Sequence, residues 1–123
     1  MAGNKKFGAR IRALRLAKLK HDRTFTLRQF ATAVGISATF LCKVELGEFD
    51  PPAPGKIMRM AELLGVDADE LLALAGRLDP ELNTIIMEKS AALPDLLRAV
   101  RGMSEADVQK LADTLKAEQR KGK

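Results

Sequence analysis

Residues 26–47 read TLRQFATAVGISATFLCKVELG, and no other stretch constrains the fold as strongly. Leu27, Phe30, Ala31 and Val34 recur at i, i+3, i+4 and i+7, the spacing of one helix face. Thr26 opens this helix as an N-cap with Gln29 three residues on, a capping-box spacing. Gly35 ends it after about two turns, because glycine enters the left-handed conformation of a sharp turn without steric penalty. Ser37 then caps a second short helix that runs from Ala38 to Leu46 and stops at Gly47, with Leu41 and Val44 as its inward positions. Two helices this short cannot bury a core alone, so the flanking sequence must supply the rest.

It does so with helices on both sides. Phe7, Ile11 and Leu14 mark a first helix over about residues 5–20, with Arg10, Arg12, Arg15, Lys18 and Lys20 around its other sides. His21 to Phe25 has no helical period and reads as a break. After the rigid connector Asp50-Pro51-Pro52-Ala53-Pro54-Gly55, the residues Ile57, Met60, Ala61 and Leu64 give a fourth helix that ends at Gly65. Asp67 caps a fifth, with Leu71, Leu72 and Ala75 inside and Gly76 as its stop; Asp69 and Glu70 suit the start of a helix by charge. Residues 1–78 are expected to close as one domain.

Residues 79–123 read as a helical extension. Asp79-Pro80 opens a sixth helix carrying Leu82, Ile85, Ile86 and Leu93, and Pro94 opens a seventh with Leu96, Leu97, Val100 and Met103. Ser104 caps an eighth with Val108, Leu111, Ala112 and Leu115, and the chain is expected to fray from Gln119 to Lys123. Met58, Met60, Met87 and Met103 lie on or beside apolar stripes and are read as core packing. No strand pattern competes. The expected fold class is all-α: a five-helix domain followed by an extension of about three helices.

Chemistry-bearing residues are scarce. One cysteine, Cys42, excludes an internal disulfide, and one histidine, His21 in a polar stretch, leaves little material for a metal site or a nucleophilic triad. No enzymatic role, metal or cofactor is expected. There is neither an apolar run of membrane-spanning length nor a signal-peptide pattern, so a cytoplasmic location without membrane contact is expected. Charge is instead the informative quantity. Residues 1–50 hold ten Lys/Arg against four Asp/Glu, while residues 79–123 hold eight of each. A basic patch confined to one end attracts phosphate chains by counterion release.

At this point the sequence resembles the phage-repressor, or Xre-type, helix-turn-helix family. The resemblance runs over residues 8–78, in GARIRALRLAK, TLRQFATAVGISATFLCKVELG, the proline at 51 or 52, and MAELLGVDADELL. It implies that the third helix enters the major groove of duplex DNA by its N-terminal end, with Ala38, Thr39 and Lys43 as base readers. Cys42 then lies near the DNA backbone, and Glu45 pairs with Arg15 to orient the helix. Arg28, Ser37, the cations of the first helix and the helix N-termini are the candidates for phosphate contacts. Ala38, Leu27, Cys42 and Leu46 depart from more polar residues usual in the family.

The resulting expectation is a sequence-specific transcriptional regulator, a repressor on family grounds, that binds a palindromic operator as a homodimer. Doubling a short recognition helix on half-sites ~10 bp apart doubles its base contacts. An alternative is an antitoxin-like or bridging protein whose extension, residues 79–123, binds another protein. A third is an RNA-binding or enzyme-associated accessory domain with no preference for a duplex sequence.

Overall fold

The computed structural model describes residues 3–122, and every regular element among them is helical. The elements are α1 (Lys5–Leu19), a 3-10 turn (Arg23–Phe25), α2 (Leu27–Val34), α3 (Ala38–Glu45), α4 (Pro54–Leu64), α5 (Ala68–Leu74), α6 (Pro80–Glu88), α7 (Ala92–Ala99), a 3-10 turn (Val100–Gly102) and α8 (Glu105–Lys121). By contacts the chain divides into two units, Met1–Glu81 and Leu82–Lys123.

In the first unit, local chemistry sets most of the helix ends. Asn4 Oδ1 accepts from Phe7 N at 2.9 Å and starts α1, a cap that the periodicity did not reveal. The stretch expected to be irregular contains a 3-10 turn, because Asp22 Oδ1 accepts from Thr24 N at 2.9 Å and from its hydroxyl at 2.6 Å. These two bonds hold the Asp22 carboxyl below its ordinary pKa. Thr26 Oγ1 accepts from Gln29 N at 3.2 Å, but Gln29 Oε1 meets the Thr26 hydroxyl at 3.0 Å rather than the Thr26 backbone amide, so the capping box is half formed. Gly35 takes φ 89°, and the amides of Gly35 and Ile36 both return to Ala31 O, at 2.9 and 3.0 Å, closing α2. Pro54 begins α4 without a side-chain cap, as proline's missing N–H permits.

The core of this unit draws on every helix. Phe7 and Ile11 from α1 meet Phe30, Ala31 and Val34 from α2, Leu41 and Val44 from α3, Ile57, Met60, Ala61 and Leu64 from α4, and Leu71 and Leu72 from α5. Phe25 joins from the 3-10 turn, its ring 5.8 Å from that of Phe30, with Lys18 Nζ over it at 5.5 Å. Arg15 does not share the solvated side of α1 expected from the pattern: it is only 6% exposed.

In the second unit no described residue is buried. Its helix boundaries differ from expectation: α6 stops at Glu88, and α7 begins at Ala92 with Pro94 inside its first turn. Proline is tolerated there because the first amides of a helix have no partner within it. Nothing in the structure explains why α6 ends at Glu88 rather than continuing toward the proline. α8 is capped by Ser104 Oγ, which accepts from Asp107 N at 3.1 Å, and it continues through Lys121 where fraying was expected. Glu105 and Asp107 in its first turn and Arg120 and Lys121 in its last oppose the helix dipole at both ends. Lys123 lies outside the described residues. Of the four methionines read as core, only Met60 is buried; Met58, Met87 and Met103 are exposed.

Candidate nucleic-acid interface

α2 and α3 form a helix pair across the turn Gly35-Ile36-Ser37, and α1 fixes the second helix from behind. Gly8 lies so close to the end of α3 that a Cβ added there would stand 2.2 Å from Val44 O and 2.8 Å from Glu45 O. About two turns further along α1, Arg15 Nε donates to Glu45 Oε2 at 2.7 Å and Arg15 Nη2 to Glu45 Oε1 at 2.9 Å. Arg15 Nη1 donates to Phe25 O at 3.2 Å, so the guanidinium ties α1, the 3-10 turn and α3 together. Glu45 raises the Arg15 pKa further, mainly through this hydrogen bonding.

With Leu41, Val44 and Glu45 turned inward, the other side of α3 is free. Thr39 is exposed, and Lys43 follows it one turn later with its side chain 41% exposed. Lys43 Nζ is 3.6 Å from Glu48 Oε1, a surface pair of small energetic weight. Ala38 is half-buried and packs against the core, and Cys42 is half-buried with a free thiol. Ser37 is exposed; its Oγ accepts from Phe40 N at 3.0 Å, which leaves the hydroxyl proton available to an outside acceptor. Arg28 is exposed on α2. Thr39, Lys43 and Ser37 therefore share the neighbourhood of the α3 start and outer face, while Arg28 belongs to the other helix of the pair.

Two cations beside the turn escaped the sequence reading. Lys56 Nζ would be 2.8 Å from a Cβ at Gly35, and Arg59 Nε donates to Ala33 O at 3.4 Å while its Nη1 pairs with Glu62. Both project from α4 beside a shallow cavity of about 430 Å³ along the end of α2. Their spacing of three residues, off the apolar stripe of α4, was the available signal. Leu46 is also open, at 52% exposure, as is Phe49, whose ring is 6.0 Å from that of Phe40.

A family model described as a helix-turn-helix domain matches residues 6–74, more than half of the chain. The chain belongs to that family. The match covers α1 through α5 and agrees with the Xre-type resemblance of the α2–α3 motif. Among curated relatives of this helix-turn-helix chain is the HTH-type transcriptional repressor RghR of Bacillus subtilis (strain 168), 34% identical over 73 residues, covering 59% of this chain and 50% of RghR. An uncharacterised HTH-type transcriptional regulator of the same organism, RghRB, is 36% identical over 72 residues, 58% of this chain and 48% of that protein. The chain thus spans about half the length of the curated relatives it matches. Similar solved structures include the clp gene regulator ClgR from Corynebacterium glutamicum, at TM-score 0.48 and 25% identity over 79% of this chain and 88% of ClgR. A SinR protein/SinI protein complex matches at TM-score 0.48 and 19% identity, over 93% of this chain and 98% of that one. Among the described residues no helix is long and apolar enough to cross a membrane.

Proposed function

We propose that this helix-turn-helix protein is a DNA-binding transcriptional regulator, a repressor that binds a palindromic operator as a homodimer in the cytoplasm. α3 is its recognition helix: Thr39 and Lys43, with Ala38 at the helix start, read base edges in the major groove. Arg28 and Ser37 meet phosphates, and Cys42 lies near the DNA backbone. The observation that carries this reading is the helix pair itself. α3 is held from behind by the Arg15–Glu45 bidentate pair and the close approach of Gly8, and its opposite face offers a hydroxyl and an ammonium. The excess of Lys/Arg over residues 1–50 supplies the attraction to phosphate. The repressor sense follows RghR by name and family, and no enzymatic role is assigned.

Operation as a homodimer through residues 79–123 is supported by the apolar surface the second unit leaves open. Ile85, Met87, Leu96, Leu97, Met103 and Leu115 are all exposed, and a unit this small that buries nothing gains stability from a partner. The same surface supports a second reading, an antitoxin-like or bridging protein that holds a different chain there. Selection of duplexes from a random pool, followed by light scattering of the complex, tests both. A palindromic site bound by two copies is expected; a non-palindromic site bound by one copy contradicts the homodimer.

A further inference from the structure

Resting on that reading, we propose that the α3 face selects its site chiefly through thymine methyl groups rather than through paired hydrogen bonds to bases. From Ala38 to Glu45 the helix has no arginine, asparagine or glutamine, the side chains whose forks grip guanine and adenine edges with two bonds. Lys43 is the one cation there that can reach guanine, and it starts from an ion pair with Glu48 at 3.6 Å that it must loosen to do so.

What the face presents instead is carbon. Thr39, Lys43 and Leu46 lie four and three residues apart, hence on one side of the helix. Thr39 is exposed with a methyl beside its hydroxyl, and Leu46 is 52% exposed. Ala38, at the start of the helix, is half-buried and packs against the core. A lone exposed leucine is ordinary. Here it continues a contact face whose hydrogen-bonding capacity is one hydroxyl and one engaged ammonium. In the major groove the thymine C5-methyl is the apolar group that distinguishes one base pair from another. The ten Lys/Arg against four Asp/Glu of residues 1–50 match this face to a polyanion, and an apolar protein surface would gain nothing from them.

The test uses the full chain and the duplex it selects from a random pool, with each thymine replaced in turn by uracil, which keeps the base pair and removes only the methyl. For each contacted position, affinity is expected to fall about fourfold, the worth of burying one methyl-sized group. At one such position Thr39→Ser, which keeps the hydroxyl, is expected to abolish the uracil penalty, and Thr39→Val, which keeps the methyl, to retain it. Leu46→Ala is expected to abolish the penalty at another. Both positions are exposed, and circular dichroism confirms that the variants fold. Selective binding that is indifferent to uracil at every thymine overturns this inference and leaves the proposed function standing. Penalties that survive unchanged in Thr39→Ser and Leu46→Ala assign the methyl contacts to another element and also overturn it. Loss of the distinction between selected and random duplex in the unaltered protein overturns the proposed function, and this inference with it.

Discussion

Glu45 is the anion that a buried Arg15 depends on. Glu45→Ala leaves the guanidinium desolvated with only Phe25 O, and a loss on the order of 3 kcal/mol is expected, read as a lower urea midpoint at unchanged slope. Lys43→Ala is expected to cost ~1–3 kcal/mol at the preferred site and to relax selection at one base position, measured by comparing selection profiles. Glu48→Gln frees Lys43 from its surface partner and removes an anion from the DNA side, so affinity for all duplexes is expected to rise, by less than ~1 kcal/mol. Asp22 behaves differently because Thr24 lowers its pKa. The stability it contributes is present above the ordinary carboxylate value of 3.8 and is lost as pH falls through the lowered folded value, and its titration is measurable by NMR. At this scale the apolar core was legible from spacing, as Phe30, Leu41 and Met60 show. Spacing alone hid the burial of Arg15, which has the periodicity of the solvated cations; its pairing with Glu45, thirty residues away, was implied by the family resemblance and is present. Asn4 was also hidden, because its Nδ2 reaches across the fold to Leu74 O at 3.1 Å.

Between elements, the α1–α3 contact decides how α3 is presented. Gly8→Ala puts a Cβ where the carbonyls of Val44 and Glu45 already stand, and the two helices must separate. A destabilisation of ~1–3 kcal/mol is expected from this overpacking, measured by thermal unfolding, together with a weaker preference for the selected site. The helix pair itself was readable because each boundary has a local cause: Thr26, Gly35 and Ser37 act within a few residues of where they stand. The boundaries of α6 and α7 were not, because Pro94 is compatible both with starting a helix and with sitting in its first turn. The long α8 was underestimated at its end, where Arg120 and Lys121 favour the helix dipole although no core residue fixes them.

For the whole molecule, spacing and motif separated a helix-turn-helix segment from an extension and charge marked the first as basic, while what the extension contacts depends on surfaces that neither encodes. Residues 1–78 expressed alone are expected to stay helical and to become monomeric, because α4 and α5 close their core, and light scattering of the two chains decides this. A dimeric short chain would assign the interface to α1–α5 instead. The central claim is that α3 reads a DNA sequence on a scaffold that phosphate attraction brings to the duplex. The direct measurement is affinity for the selected duplex and for random duplex across a salt series. The account predicts a preference of ~10³ or more for the selected site, with affinity for both falling steeply as salt rises. Equal affinity for the two duplexes at every salt concentration would contradict it.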